Sequence, residues 1–542
     1  MTKYINLHKN YTSNRENYQL KLPLNIEYMI PDDDSVRLLS QFIEEMDLTD
    51  LYSTYSRIRG NQATPRQMLK IVLYSYMNHN YSSRLMEKSC KRDVNFMYLL
   101  EGSPVPDHST FARFRSIHFA PCSETIMAEM SNFLYEIGEI SGDAIFIDGT
   151  KIESCANKYT FVWKKSVSKN LARLLSKLAD FVAECEEMYG LKLIYENRVK
   201  IKHVKKLRKK LYALKHDENI EFVHGCGKRK TPIQRSIETL EEYLNKLKEY
   251  TQKLYICGKR SSYSKTDKDA TFMRMKEDAM KNGQLKPAYN VQHGVDSEYI
   301  VWLTIGAKPT DTTTLIPFIK SMENFLYFKY FKITADAGYE SEENYVYVKE
   351  NMQLSFIKPA NYEISKTRKY KNDISRIENM DYNEFGDYYI CENNKKLTVN
   401  RIIKRKSKTG YVSEKTIYTC EDCNNCKYKS KCIKGHNCKI PLEERVKNLE
   451  TSKLFNMLRK ENLERIVSEE GCELRMNRSI QAEGSFAEIK QDMGFRRYLS
   501  KGKKNILAEN VLLAMAHNVN KLHNKIQSAR TGTHLFQLEK SA

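Results

Sequence analysis

Two short apolar segments, each followed by an aspartate and a glycine, constrain the fold of this chain most strongly. In residues 144–153 the apolar run AIFI leads directly into Asp148 and Gly149. In residues 331–339 apolar residues alternate up to Asp336, and a glycine follows two residues later. Short apolar runs bounded by turn residues predict strands that are buried on both faces. Each strand would end at a carboxylate, which is poorly solvated unless a cation lies beside it. Two such strands predict one shared metal site.

The charge of the chain favours a polyanionic partner. The chain has 89 Lys and Arg against 68 Asp and Glu, a formal net charge of +21. This excess indicates nucleic acid before membrane, although charge alone does not separate DNA from RNA, or a binding protein from an enzyme. The first residues lack the apolar core of a signal peptide, and no apolar run approaches the roughly 18 residues of a membrane helix. We therefore expect a cytoplasmic protein with no membrane partner.

The beginning of the chain predicts a tail and a helical domain. Residues 1–30 are polar, and we expect a flexible N-terminal tail. Residues 31–139 carry apolar side chains at helical spacing, which predicts an all-helical domain. Basic residues on its short helices are similar to those of a helix-turn-helix DNA-binding unit, in which Arg113 and Arg115 would contact phosphates. The alternative is that both arginines lie on a solvated helix face.

A basic, leucine-rich segment interrupts the strands. Residues 164–256 contain two stretches with leucines at helical spacing, which predict an antiparallel helical hairpin inserted into the sheet domain. Between the two arms, residues 198–215 hold nine Lys or Arg, including Lys205, Lys206 and Arg208. A run of one sign and of this length favours a role in tracking phosphates, and a solvated face is the alternative.

The order of the remaining elements is that of a ribonuclease-H-like core. Three antiparallel-type strands are followed by helix, strand, helix and strand, ending near residue 357. We therefore predict a mixed α+β fold, with a five-stranded mixed sheet and helices in residues 140–358 and 472–526. Residues 359–471 predict a second, β-rich insertion, and residues 527–542 a flexible tail.

The third carboxylate is expected on the closing helix, residues 479–493. Glu483 shares one helix face with Phe486 and Lys490, at spacings of three and seven residues. Phe486 would anchor that face to the sheet and turn Glu483 towards the strand ends, whereas Glu488 points elsewhere. Two aspartates and a glutamate can hold two Mg²⁺ or Mn²⁺ ions about 3.5–4 Å apart, because such hard cations prefer oxygen ligands.

Several motifs together resemble the DDE transposases of bacterial insertion sequences, over nearly the whole chain. They are PDHSTFARFR in the helical region, FIDGTKIES around Asp148, YNVQHGVD, TADAGYES around Asp336 and EGSFAEIK around Glu483. The resemblance implies that these three acids form a catalytic triad. A related branch carries Tyr-x2-Arg-x3-Glu-x6-Lys around its glutamate. Lys490 keeps that spacing, whereas Arg478 lies one residue farther away. Both would contact DNA phosphates by this resemblance.

The resemblance also implies the partners. Double-stranded DNA would be bound at the element ends and at the target, in the bacterial cytoplasm in association with the nucleoid. A homodimer or larger assembly is expected because two ends must be joined in one complex. Two alternatives stay open: a metal-dependent nuclease of the same core that cuts without joining, and a catalytically inactive DNA-binding protein derived from such an enzyme.

A cysteine cluster in the second insertion predicts a structural zinc site. Five of the 13 cysteines fall within nineteen residues, between positions 420 and 438. Overlapping C-x2-C spacings followed by further cysteines supply the four thiolates of a tetrahedral Zn²⁺ site. We favour Cys420, Cys423, Cys426 and Cys432 as ligands, with Cys438 as a substitute. Four thiolates leave no position for water, so this metal would stabilise the insertion rather than catalyse.

Overall fold

The computed structural model describes residues 29–537, apart from 58–59, 196–197, 226, 228, 276–282, 436–437 and 439. The tail predicted for residues 1–30 therefore lies almost wholly outside the described residues. No helix in the described part of the chain is long and apolar enough to cross a membrane.

Helices occupy residues 31–139. They are α1 (Ser35–Glu45), α2 (Thr49–Ser53), α3 (Pro65–Met77), α4 (Ser83–Cys90), α5 (Val94–Leu100), α6 (His108–Arg113) and α7 (Ala120–Glu136), with a π-helical turn (Phe114–Phe119) before α7. Thr64 caps α3, since its side chain accepts a hydrogen bond from the backbone N–H of Gln67. The buried side chains of this region join the same hydrophobic cluster as those of the central sheet. The region predicted as a separate domain therefore shares its core with the sheet.

The middle of the chain supplies the central sheet and a helical insertion. Its elements are β1 (Ala144–Glu153), β2 (Phe161–Trp163), α8 (Lys164–Tyr189), α9 (Ile201–Asp217), α10 (Pro232–Cys257), β3 (Ser262–Ser264), β4 (Thr271–Arg274), β5 (Leu285–Asp296), β6 (Tyr299–Gly306), α11 (Leu315–Phe325), β7 (Lys332–Ala335), α12 (Glu342–Glu350) and β8 (Leu354–Ile357).

The central sheet is mixed, with the strand order β6–β5–β1–β7–β8. β1 is antiparallel to β5 and parallel to β7, and β7 is parallel to β8. The short strand β4 also pairs with β5, so the described sheet has six strands where the sequence predicts five. This order and these directions are consistent with a ribonuclease-H-like core.

The apolar run of β1 forms the middle of this sheet. Ile145, Phe146 and Ile147 are fully buried, as expected for a strand with neighbours on both sides. The strand does not end at Asp148, contrary to the prediction. It continues to Glu153, because β5 pairs with β1 along this whole stretch.

The insertion between β2 and β3 differs from the predicted helical hairpin. In the residues described, it contains three helices, because the basic stretch expected to connect two arms forms α9 itself. Val204, Leu207 and Leu211 of α9 are buried in a small core shared with α8 and α10. Lys205 and Lys206, between those apolar positions, are exposed. These apolar positions have the spacing of one helix face, but the many basic residues between them hide that pattern in the sequence.

A small lobe follows β8. Its elements are α13 (Arg368–Lys371), β9 (Asp381–Asn383), β10 (Tyr388–Ile390), β11 (Lys396–Lys406), β12 (Val412–Cys420), α14 (Lys429–Cys432) and β13 (Asn448–Thr451). The strands form an antiparallel sheet in the order β13–β12–β11–β10–β9. The next helix, α15 (Lys453–Val467), buries Leu458 and Ile466 in the main core. The insertion predicted for residues 359–471 therefore ends before α15.

The last helices close the core. They are α16 (Glu469–Asn477), α17 (Gly484–Ala487) and α18 (Lys503–Gln527), with π-helical turns at Arg478–Glu483 and Glu488–Asp492. The closing helix predicted for residues 479–493 is thus the continuation of α16. α18 is buried around most of its circumference and packs on α3, α7 and β6. The predicted flexible tail begins inside α18, and beyond the helix the backbone N–H of Phe536 donates to Asn477 Oδ1 at 2.8 Å.

Candidate active site

Asp148 and Asp336 lie side by side where β1 and β7 part. The parallel register pairs Ile147 with Ala335, the last residue of β7, so the next residue of each strand is an aspartate. Asp148 Oδ1 accepts a hydrogen bond from the backbone N–H of Gly149 at 2.8 Å, and its side chain is 14% exposed. The two carboxylates therefore share one edge of the sheet, close to solvent.

Glu483 reaches this edge from the first π-helical turn of the closing helix. A π-helical turn places residues i and i+5 above one another, which brings Arg478 next to Glu483. Arg478 Nη2 donates to Glu483 Oε1 at 2.8 Å, and Ser479 Oγ donates to the same oxygen at 3.2 Å. Arg478 Nη1 lies 3.8 Å from Asp148 Oδ2. The arginine therefore lies between the glutamate and one of the two aspartates.

The closing helix is fixed on the sheet by aromatic stacking. Phe486 stacks on His293 of β5 with the ring centroids 4.1 Å apart. Burial lowers the pKa of His293 to about 3, which keeps its ring neutral. Farther along, Lys490 Nζ donates to Thr150 Oγ1 at 2.8 Å, two residues beyond Asp148. The helix therefore contributes Glu483 and two basic side chains, Arg478 and Lys490, to one area of β1.

Glu488 faces another element, as its sequence position suggests. Its carboxylate lies 3.0 Å from His517 Nδ1 and 3.5 Å from Lys521 Nζ, both on α18. Burial alone would raise the pKa of Glu488, but these two basic groups outweigh it and lower the pKa to about 2. The glutamate nearest the two aspartates on this helix is Glu483.

A fourth carboxylate, Asp311, lies in this area and was missed by the sequence analysis. Asp311 Oδ1 accepts hydrogen bonds from Asn290 Nδ2 at 2.7 Å and Gln292 Nε2 at 3.0 Å. Burial, then the charges of Asp311, Asp148 and Asp336, raise the pKa of Tyr339 well above its usual value. Asp311 precedes a helix in a polar loop, where an aspartate is ordinarily a cap or a turn residue, so the sequence offers no signal.

The carboxylates of Asp148, Asp336 and Glu483 are suitable ligands for Mg²⁺ or Mn²⁺, but their present arrangement fits such an ion only in part. Asp148 and Asp336 offer adjacent hard oxygen ligands, which such ions prefer. Glu483, however, is paired with Arg478 and is 56% exposed. Within the described ranges, no group of three or more His, Cys, Asp or Glu side chains is arranged to hold a metal ion. Completing a three-carboxylate site requires Glu483 to leave the arginine.

The predicted phosphate contacts are placed differently from one another. Arg113 is exposed on α6. Arg115 instead points into its own helical region, where it donates to Tyr81 O at 3.0 Å and Ser83 Oγ at 2.6 Å. Its role there is to hold the start of α4 against the turn before α7. Two arginines close together in sequence can thus differ, one exposed to solvent and the other bonded within the protein. Their spacing does not reveal which of the two is exposed.

Helix α9 carries the other predicted contacts. Lys205 and Lys206 are exposed, and Arg208 Nη1 lies 3.9 Å from Glu241 Oε1 of α10. Arg208 is about two-fifths exposed, so this weak surface pair leaves its charge largely available.

Cysteines of the lobe converge on one small cavity. The cavity has a volume of about 20 Å³, and its lining includes Cys391, Cys420, Cys423, Cys426 and Cys432. Burial is the main cause that raises the pKa of Cys420, to about 12. Cys391 follows β10 and is distant in sequence, so the spacing of the cluster gave no sign of it.

Cys438, predicted as the substitute ligand, does not line this cavity. It is exposed and borders a neighbouring surface pocket with Lys434 and Arg445. In the described part of the chain, the five thiols of the cavity are not arranged as a formed metal site. The cavity is nevertheless large enough for about one small ion.

Comparison with known protein families gives two matches. Residues 390–523 match the model of a transposase DDE domain, and residues 24–116 match a transposase domain (DUF772). The first match includes Glu483 and the cysteine cluster, while Asp148 and Asp336 lie outside it. Comparisons with curated proteins and with solved structures give no match. Both matches are to transposase domains, one of them a DDE domain, which agrees with the family that the motifs of this chain resemble.

Proposed function

We propose that this protein is a transposase that binds the ends of an insertion element and cuts and joins DNA with Asp148, Asp336 and Glu483. The observation that carries the proposal is the adjacency of Asp148 and Asp336 at the end of the β1–β7 pairing, with Glu483 joined to the same edge through Arg478. The order of the strands and the basic charge of the chain support it.

Asp148, Asp336 and Glu483 would hold two divalent cations, Mg²⁺ or Mn²⁺. When bound, such a pair activates the attacking water or 3′-hydroxyl and stabilises the leaving oxygen. The chain's own contribution is positional. β1 and β7 fix the two aspartates, and the Phe486–His293 stack fixes the helix that carries Glu483. Arg478 would pair with a DNA phosphate in place of Glu483 once that glutamate held a metal ion, because a guanidinium binds both carboxylates and phosphates through charge-assisted hydrogen bonds.

Other basic residues would hold the DNA through its phosphates. Lys490 lies beside the carboxylates, while Lys205, Lys206 and Arg208 offer a separate positive surface on α9. Arg113 is the remaining candidate of the N-terminal helices. Arg115 is left out of this set because its guanidinium is engaged within the protein. Two DNA ends must meet for joining, so the active assembly contains at least two copies of the chain.

The cysteine cavity would hold a structural Zn²⁺ through Cys420, Cys423, Cys426 and Cys432. Its support is the convergence of these thiols from a strand end, a loop and a short helix. Bound Zn²⁺ would link those three elements of a lobe that has a very small apolar core.

The test is cleavage and joining of labelled DNA from the flanks of the gene, with Mg²⁺ or Mn²⁺. Wild type is compared with Asp148→Asn, Asp336→Asn and Glu483→Gln, and with Glu464→Gln, an exposed acid on α15, as the control. We expect metal-dependent nicks at a fixed end and joined products in wild type and control alone. Nicks without joined products would support a nuclease instead. Binding without any cut in every metal would support an inactive DNA-binding protein.

A further inference from the structure

Gly149 occupies a position where a glycine is unusual. It lies inside β1, a central strand, where glycine is unfavourable and often marks a close approach of other groups. A Cβ at this position would lie 2.5 Å from Gln292 Nε2 and 2.9 Å from Asp311 Oδ1. The glycine next to Asp148 therefore makes room for the Asp311 carboxylate and the amide that holds it.

Gly338 makes a similar approach on the other strand. A Cβ there would lie 3.6 Å from Asp311 Oδ2, two residues beyond Asp336. Asp311 Oδ1 therefore faces Gly149, the residue after Asp148. Its Oδ2 approaches Gly338, in the turn after Asp336.

The carboxylate of Asp311 is held rigidly by neutral groups. Gln292 Oε1 accepts hydrogen bonds from the hydroxyls of Tyr339 and Thr314, which fixes the orientation of the Gln292 amide. Its Nε2 then donates to Asp311 Oδ1, as does Asn290 Nδ2. Because amide donors carry no net charge, they fix the position of the carboxylate without cancelling its charge.

The charges of the area leave an excess that divalent cations would balance. Asp148, Asp336, Glu483 and Asp311 contribute four negative charges, and Arg478 and Lys490 contribute two positive ones. Two negative charges remain. A fixed carboxylate beside such a site attracts a cation, and more strongly where the site is partly shielded from water.

We propose that Asp311 is a positioning residue of the active site that strengthens divalent-cation binding between Asp148 and Asp336. This inference rests on the proposed function. Asp311 acts through its fixed charge and through the amides that it orders, and the glycines at positions 149 and 338 allow its approach.

The test is a titration of the DNA-free protein with Mn²⁺. Electron paramagnetic resonance measures the free ion, and the bound ion is obtained by difference. Asp311→Asn keeps the shape of the side chain and a carbonyl that accepts the same hydrogen bonds, but it removes the charge. We expect a dissociation constant about tenfold higher than that of wild type, a change of about 1.4 kcal/mol. Cleavage by this variant should recover at higher Mn²⁺ concentration.

The matched control is Glu323→Gln on α11. Glu323 is also held by two amides, since Asn351 Nδ2 and Gln353 Nε2 donate to it at 2.9 Å and 3.0 Å, but it lies at the other end of α11. This variant should bind Mn²⁺ as wild type does. If Asp311→Asn unfolds, Asp311→Ser replaces it.

Two results would overturn the inference. One is an unchanged Mn²⁺ dissociation constant in the folded Asp311 variant. The other is a loss of Mn²⁺ affinity in Glu323→Gln as large as that in the Asp311 variant. Failure of the proposed function is distinguishable from both. Mn²⁺ binding that depends on Asp148 and Asp311, in a wild-type protein that cuts no DNA, would remove the transposase reaction and retain the role of Asp311.

Discussion

Arg478 partly neutralises the negative charges of Glu483 and Asp148. Its guanidinium contacts Glu483 and approaches Asp148, so it neutralises the same charges that a metal ion would. We predict that Arg478→Gln gives a larger rise in melting temperature on addition of Mn²⁺ than wild type does, because the cation no longer competes with the arginine. DNA cleavage should nevertheless fall, because a phosphate contact is lost.

Thermal unfolding with and without Mn²⁺ measures the first effect. Arg478→Lys is the control, since lysine keeps the charge but cannot bridge two groups with a planar fork. It should give a rise between those of wild type and Arg478→Gln. Equal rises in all three proteins would contradict the competition between arginine and metal.

Gly149 allows a second prediction at the same scale. Gly149→Ala would press a methyl group against Gln292 and Asp311, whose positions are fixed by other hydrogen bonds. We expect a loss of about 1–3 kcal/mol in the free energy of unfolding, measured with urea. Gly484→Ala is the control, because nothing lies within 4 Å of its Cβ and the position is helical. It should gain about 0.5–1 kcal/mol. An unchanged free energy of unfolding in Gly149→Ala would mean that Gln292 and Asp311 move aside to accommodate the methyl group.

The sequence was sufficient for the residues that follow apolar strands and insufficient for those held by tertiary contacts. The sequence places Asp148 and Asp336 directly after apolar runs, and the register of β1 with β7 brings the two positions next to each other. Their catalytic role stays a prediction. Asp311 could not be identified from the sequence, because its place depends on two amides of β5 that approach it only after folding. Arg115 is the converse case, a basic residue whose partners are carbonyl and hydroxyl groups in the folded protein.

At the scale of elements, the lobe offers a test of its cysteines. We predict about one equivalent of zinc in wild type, measured by mass spectrometry of the metal, and its loss with lower stability in Cys423→Ser. Cys438→Ser is the matched control and should keep the zinc, because this exposed thiol does not line the cavity. Full zinc retention in Cys423→Ser, or loss in Cys438→Ser, would contradict the assignment.

The fifth thiol of the cavity adds a condition to this prediction. Four thiolates complete a tetrahedral site, and Cys391 supplies one more than needed. A single serine at Cys391 should therefore retain the metal, because Cys420, Cys423, Cys426 and Cys432 remain in the cavity.

Helix α9 is the element whose contribution to DNA binding can be isolated. Each phosphate contact adds about 0.9 to the slope of log K against log salt, so Lys205→Gln with Lys206→Gln should reduce that slope by about 2. The control is Lys246→Gln with Lys253→Gln on α10, where each lysine pairs with a glutamate four residues earlier. These pairs already offset the lysine charge, so the slope should change less. Equal changes would indicate that the charge of the whole insertion matters rather than α9.

The same helix shows what limits prediction at this scale. Its apolar residues have helical spacing, but they alternate with seven Lys and Arg residues, so the charge run concealed the helix. The extension of β1 beyond Asp148 was missed for a different reason. A glycine ordinarily indicates a turn, and only the pairing with β5 shows that this glycine is part of a strand.

At the scale of the whole molecule, α18 connects the parts that the sequence separates. It packs on α3 and α7 of the N-terminal helices and on β6 of the sheet. Glu488 joins it to the helix that carries Glu483, through His517 and Lys521. The strand order could be anticipated from the order of elements, whereas this shared core could not, because a uniformly buried helix does not indicate which surfaces cover it.

This connection predicts how stability depends on pH. The pKa of Glu488 is lowered to about 2 in the folded protein from an ordinary value of 4.5, so its ionised form stabilises the fold. That stabilisation is fully present above pH 4.5 and is lost as the pH falls through about 2. Glu488→Gln should therefore reduce the free energy of unfolding at pH 7 by up to about 3 kcal/mol, because a shift of one pKa unit corresponds to about 1.4 kcal/mol.

The difference between Glu488→Gln and wild type should shrink steadily between pH 4.5 and pH 2, as the wild-type carboxylate takes up its proton. Urea unfolding over this range measures it, with Glu464→Gln as the control for an exposed acid that changes stability by less than about 0.5 kcal/mol. A deficit that stays constant with pH would mean that shape, and not charge, joins the two helices. A shrinking deficit would instead support an electrostatic connection between α18 and the helix that carries Glu483.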